Sequence, residues 1–100
     1  MFSGGSYEDV QRWLKNFLTS HAKRENPRAE VLLDEDDALA GRAYRARIHV
    51  GDRVSAPIDL EYKDVAEHRG TLAWCAALAQ RTRALVKTTL GAGTADARAR

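Results

Sequence analysis

The stretch YRARIHVGDRVSAPIDLEY, residues 44–62, alternates apolar and polar side chains almost without interruption. Alternation at every second residue is typical of a β-strand that buries one face and exposes the other. Because Gly51 and Asp52 mark a turn inside the stretch, it predicts two antiparallel strands, residues 42–50 and 54–62. Their predicted apolar face consists of Tyr44, Ala46, Ile48, Val50, Val54, Ala56, Ile58, Leu60 and Tyr62.

The same alternation constrains the length of the loop between the two strands. A two-residue loop at Gly51 and Asp52 would pair Val50 with Arg53, and would set apolar against polar side chains all along the ladder. A three-residue loop that adds Arg53 pairs Val50 with Val54 and keeps the apolar face continuous. We therefore expect the three-residue loop.

The polar face of these strands collects Arg45, Arg47 and His49, with acidic residues opposite them. The three-residue loop places Arg45 opposite Asp59, whereas a five-residue loop would place Arg47 opposite Asp59. Either register sets a base against an acid, and such pairs neutralise the positive potential that an anionic ligand would need. This face is accordingly expected to be solvated. It is also the candidate contact surface, formed by Arg45, Arg47, His49 and Leu32.

Two helical patterns flank the strands. The first starts after Ser6, a typical N-cap residue, and ends at Asn26 because Pro27 disfavours helical geometry in the residue before it. Its apolar stripe contains Val10, Trp13, Leu14, Phe17, Leu18 and His21. The second begins near Asp64 or at Thr71, since Gly70 marks either a kink or the residue before the start. We expect it to end at Gly91.

The residues AEVLL at positions 29–33 predict one more short strand. The sequence thus indicates an α+β fold of order α-β-β-β-α, in which two helices pack on one face of a three-stranded antiparallel meander. Two helices of about 10 Å diameter cover one face of such a sheet and leave the other open. Pro57 suits an edge strand, which puts the second strand in the middle. Residues 6–91 are expected to form one domain, with flexible segments at 1–5 and 92–100.

The amino-acid composition does not indicate a particular class of binding partner. Sixteen Lys and Arg against fourteen Asp and Glu give a formal net charge of +2, without the basic excess that is usual for nucleic-acid or anionic-membrane binders. The single cysteine, Cys75, excludes an internal disulfide and fits a reducing compartment. No stretch is long and apolar enough for a membrane span. We expect a cytoplasmic protein, and the wealth of Arg and Ala favours a bacterial source.

No catalytic, cofactor or metal site is predicted. Cys75 and His68 lie two helical turns apart, about 10.5 Å along the axis, too far for a thiol–base pair. The acidic run at residues 34–37 lacks the glycine-punctuated spacing of a calcium loop. Trp13 and Trp74 fit core positions better than the walls of a pocket.

The element order is similar to that of the double-stranded-RNA-binding domain, but the residues are a poor match. That family holds phosphates with a lysine cluster at the start of its last helix. Here that region reads KDVAEHRG, and the loop between the first two strands is the acidic DEDDALAG. The leading hypothesis is therefore a small non-enzymatic protein–protein interaction module that associates with itself. Double-stranded-RNA binding is one alternative, and a ligand pocket or enzyme site near Trp13 and Trp74 is the other.

Overall fold

A computed structural model describes residues 6–98 of the chain and their side chains through residue 89. The fold is α+β, with helices packed against an antiparallel sheet, as the sequence predicts. In chain order the elements are α1 (Tyr7–Glu25), β1 (Ala29–Leu33), β2 (Ala43–Val50), β3 (Arg53–Val54), β4 (Ile58–Glu61), α2 (Tyr62–His68) and α3 (Leu72–Arg98). The limits of the predicted domain stay a prediction, and residues 1–5 lie outside the described part of the chain.

Helix α1 begins and ends where its sequence predicts. The Ser6 side chain accepts a hydrogen bond from the Asp9 backbone N–H at 3.1 Å, which satisfies one of the N–H groups left free at a helix start. At the other end, the Asn26 N–H donates to the Ala22 carbonyl. The buried face consists of Val10, Leu14, Leu18 and Ala22, at four-residue spacing.

Strand β2 forms the centre of the sheet, with β1 on one side and β3 and β4 on the other. Its side chains alternate strictly, and Tyr44, Ala46, Ile48 and Val50 are buried beneath the helices. Strand β1 pairs with β2 so that Val31 lies opposite Ile48. The predicted meander is confirmed, and Pro57 lies at the edge of the sheet, in the irregular segment between β3 and β4.

The predicted three-residue loop is wrong, because the hairpin closes with two residues. Val50 pairs with Arg53 and His49 pairs with Val54, around a turn in which Gly51 has a φ of 63°. A positive φ at the first central residue alone is the geometry of a type II′ hairpin turn. Val54, predicted to lie in the core, is therefore half exposed.

A one-residue slip between β3 and β4 then restores the apolar register. Farther from the turn, Ala46 pairs with Ile58 and Tyr44 with Leu60, as the three-residue loop had predicted. At the slip, the Ser55 hydroxyl accepts a hydrogen bond from the Ile48 N–H at 3.0 Å and donates to the Ala56 carbonyl at 2.8 Å. Ser55 is buried, whereas Ala56, which was predicted to be in the core, is exposed.

The second helical pattern forms two helices rather than one. Helix α2 starts at Tyr62, directly after β4, and α3 starts at Leu72 beyond the break at Gly70. The expected end at Gly91 is not observed, because α3 continues to Arg98. Glu25 of α1 lies 3.1 Å from Arg83 and 3.9 Å from Lys87, which joins the two long helices at the surface.

Two tyrosines connect α1 to the central strand. The Tyr44 hydroxyl donates to the Tyr7 carbonyl at 2.8 Å, and the Tyr7 hydroxyl donates to the Ala43 carbonyl at 2.7 Å. Their rings stack with centroids 4.6 Å apart. Burial raises the pKa of Tyr44 far above its ordinary value, and electrostatic repulsion by the neighbouring Tyr7 and Tyr62 raises it further.

Replacing Ser55 by alanine tests the hydrogen bonds at the slip. Ser55→Ala leaves the buried Ile48 N–H without an acceptor, so we expect the free energy of unfolding to fall by about 1–3 kcal/mol in urea denaturation. Ser20→Ala, at an exposed position of α1, is the matched control and should change it by less than about 0.5 kcal/mol. Equal effects of the two substitutions would contradict the role given to Ser55.

The Tyr44 hydroxyl predicts a loss of stability in alkali. In the unfolded chain Tyr44 ionises near pH 10, whereas in the folded protein its raised pKa keeps it protonated. The free energy of unfolding is therefore unaffected by Tyr44 below about pH 10 and falls as the pH rises above it. Urea midpoints at about pH 8 and about pH 11 should differ less for Tyr44→Phe than for the native protein. The same pH dependence in both would refute the prediction.

Candidate interaction surface

No described element packs on the side of the sheet that faces away from the helices. We call it the outer face, and none of its side chains is buried. It is formed by Glu30 and Leu32 of β1, Arg45, Arg47 and His49 of β2, Val54 of β3, and Asp59 and Glu61 of β4. All four residues of the predicted contact surface lie together here, with Leu32 directly opposite Arg47.

Acids neutralise the two arginines at the centre of the outer face. The Arg45 Nε donates to the Asp59 Oδ1 at 2.8 Å, the pair that the three-residue register predicts. Arg47 lies 3.4 Å from the Asp34 Oδ2. The hydrogen bond to Asp59, then its negative charge, raises the pKa of Arg45. Both arginines of this face therefore have an acidic partner within the chain.

Two apolar side chains interrupt this polar surface, one at each edge. Leu32 is 46% exposed and Val54 is 50% exposed, on opposite sides of β2. In the described part of the chain, Leu72 at the start of α3 is the other large apolar side chain with comparable exposure, and it does not lie on the outer face. Sequence reasoning missed Val54, because its outward direction depends on the two-residue turn.

Among residues 6–98, no strand pairs with the outer edge of β1, which is overhung by helix α1. The Asp34 N–H donates to the Arg45 carbonyl, so in the alternating antiparallel pattern the backbone groups of Glu30 and Leu32 also point towards β2. Those of Val31 and Leu33 point away from the sheet. Helix α1 packs on β1, and its polar side lines a groove beside this edge with Leu32, Leu33 and Glu35.

The structure does not bring Cys75 and His68 together as a catalytic pair. The Cys75 Sγ donates to the Arg69 carbonyl at 3.2 Å, while the His68 Nδ1 lies 3.1 Å from the Asp64 carbonyl. Burial raises the pKa of the Cys75 thiol, which disfavours the nucleophilic thiolate.

The two tryptophans lie at different places rather than around one pocket. Trp13 stacks on Phe17, with ring centroids 4.9 Å apart. Trp74 lines a shallow groove with Leu60, Leu78 and two further residues of α3, and Trp13 is not among the lining residues. The groove beside Trp74 therefore does not include Trp13.

The acidic run between β1 and β2 is engaged in local contacts. Asp34 binds Arg47, and the Asp36 Oδ1 accepts a hydrogen bond from the Ala38 N–H at 3.0 Å. Among the described side chains, residues 6–89, no three His, Cys, Asp or Glu are grouped so that they could hold a metal ion. The loop remains acidic where the RNA-binding alternative requires a surface that accepts phosphate.

The alkylation rate of Cys75 tests whether its thiol is protected rather than activated for catalysis. Because its pKa is raised and its hydrogen is donated to Arg69, alkylation by iodoacetamide at neutral pH should be much slower in the folded protein than in urea. Mass spectrometry over time measures both rates. Equal rates would show an exposed, activated thiol and would reopen the catalytic alternative.

Comparison with protein-family models, curated proteins and solved structures found no match. Within the described residues, no helix combines the length and the apolar character that crossing a bilayer requires. The geometry of the outer face and of the sheet edges therefore carries the functional argument.

Proposed function

We propose that this chain is a small non-enzymatic protein–protein interaction module that associates with a second copy of itself through the outer face. The supporting observation is an uncovered sheet face with an exposed apolar side chain at each edge, Leu32 and Val54. An antiparallel sheet often exposes one face to water, but that face normally carries polar side chains. Apolar side chains at these two positions favour contact with another protein.

The charge pattern of the outer face is complementary to itself. The central strand is basic through Arg45 and Arg47, whereas both flanking strands are acidic through Glu30 and Asp59. In a near-orthogonal packing of two sheets, the strands of one copy cross those of the other. The ends of β2 in each copy then lie over the flanking strands of its partner, which carry Glu30 and Asp59.

Continuation of the sheet across the edge of β1 is less favourable, although backbone groups of Val31 and Leu33 are free there. Paired strands lie about 4.8 Å apart, and packed helices need 8–10 Å between their axes. Because α1 packs on β1, pairing two β1 edges would crowd the two α1 helices. No described helix creates such an obstacle at the outer face.

The area of the outer face sets the expected affinity of the proposed dimer. Three strands about 14 Å wide and about 17 Å long give a footprint of roughly 240 Å². This is small beside the roughly 800 Å² that each partner buries in a stable complex. The proposed dimer is therefore weak, forms at high protein concentration and loosens as salt screens its charges.

Sedimentation velocity at a low and a high protein concentration tests the proposal. The native chain should shift towards dimer as concentration rises, and Leu32→Thr should remain monomeric. Leu72→Thr is the matched control, since Leu72 is 86% exposed but lies on α3, and it should dimerise like the native chain. Thermal denaturation of both variants checks that the fold is intact.

A native chain that stays monomeric at the highest soluble concentration would refute self-association. Equal loss of dimer in the Leu32→Thr and Leu72→Thr variants would refute the outer face as its site. Salt-dependent binding to duplex RNA by the monomer would instead favour the RNA-binding alternative.

A further inference from the structure

A second surface lies at the opposite edge of the sheet, between β4 and the first half of α3. It is a groove of about 170 Å³ with one charged side chain at its rim, and it is lined by Leu60, Trp74, Ala77, Leu78 and Arg81. Small-molecule sites usually measure 300–1,000 Å³. The groove therefore fits one apolar side chain better than a whole ligand.

The neighbouring edge of β4 offers free backbone hydrogen-bonding groups. The Tyr62 N–H donates to the Arg42 carbonyl, so the alternating antiparallel pattern turns the backbone groups of Leu60 and Ile58 towards β2. Those of Asp59 point away from the sheet. Within the described part of the chain, no strand pairs with β4 on that side.

The groove and the free edge together suit an extended peptide. A strand added along β4 would pair with the Asp59 backbone and would continue the pleat of the sheet. Every second side chain of that strand would point to the same side as Leu60, which is the side of the groove. One such side chain can then pack on Trp74 while the backbone bonds hold the peptide in register.

The positive charge of Arg81 indicates a second feature of a peptide that would bind in the groove. Arg81 is exposed and makes no ion pair with any described side chain, unlike Arg83, which binds Glu25. It is also the one charged residue among those that line the groove. A carboxylate beside the apolar side chain would therefore be held by an otherwise unpaired guanidinium.

We infer that the groove between β4 and α3 docks an extended segment of a partner protein that carries a large apolar side chain close to a carboxylate. The segment adds as a strand to β4, places its apolar side chain on Trp74 and pairs its carboxylate with Arg81. This site is separate from the outer face, so it does not depend on self-association.

Selection from a phage-displayed library of short random peptides tests the inference. The native chain should enrich peptides that combine a large apolar residue with Asp or Glu. Arg81→Glu should exchange that preference for Lys or Arg, because it reverses the charge at the rim. Arg53→Glu, an exposed reversal at the hairpin turn, is the matched control and should select the same peptides as the native chain.

A synthetic peptide of the selected sequence then separates strand addition from other binding modes. Its addition should slow hydrogen exchange of the Asp59 amide, as followed by NMR. No enrichment over the starting library would overturn the inference, and so would an Arg81→Glu selection that keeps the acidic preference. Binding that leaves exchange of the Asp59 amide unchanged would overturn the strand addition.

Discussion

Burial of one face of β2 is the constraint on which the rest of this structure depends. Tyr44, Ala46, Ile48 and Val50 all point beneath the helices, and β1 and β4 are aligned to them. A fully buried side chain of this kind contributes about 1.5–3 kcal/mol, so a shift by one residue would expose the whole set. The slip at Ser55 follows from this constraint, because it reconciles a tight turn with an apolar ladder.

The same arrangement leaves three surfaces open. The described helices cover only one side of the sheet, and the two edges of the sheet are β1 and the broken strand formed by β3 and β4. These surfaces differ in chemistry. The outer face carries paired bases and acids, the β1 edge lies under a helix, and the β4 edge adjoins an apolar groove whose arginine has no ion-pair partner among the described side chains. Each accordingly favours a different kind of contact.

Much of the fold could be predicted from the sequence, because periodicity reports burial directly. The bounds of β1, the cap at Ser6 and the pairing of Arg45 with Asp59 are all confirmed. The turn could not be predicted, because the prediction assumed an uninterrupted ladder of backbone hydrogen bonds between the two strands. In the structure, the Ser55 hydroxyl replaces a backbone acceptor for the Ile48 N–H, which allows the register to change by one residue. The end of α3 was also missed, because Gly91 is a C-cap by preference only and helices can continue through it. The groove beside Trp74 depends on the distance between α3 and β4, for which the sequence carries no signal.

Hydrogen exchange of the backbone amides, resolved by NMR, tests the central claim that β2 lies between two paired strands while both edges stay free. Amides along the whole of β2 should exchange slowly. In β1, Glu30 and Leu32 should be protected while Val31 and Leu33 exchange fast, and Asp59 in β4 should also be fast. Uniform protection along β1 and β4, or fast exchange at every second residue of β2, would contradict the account.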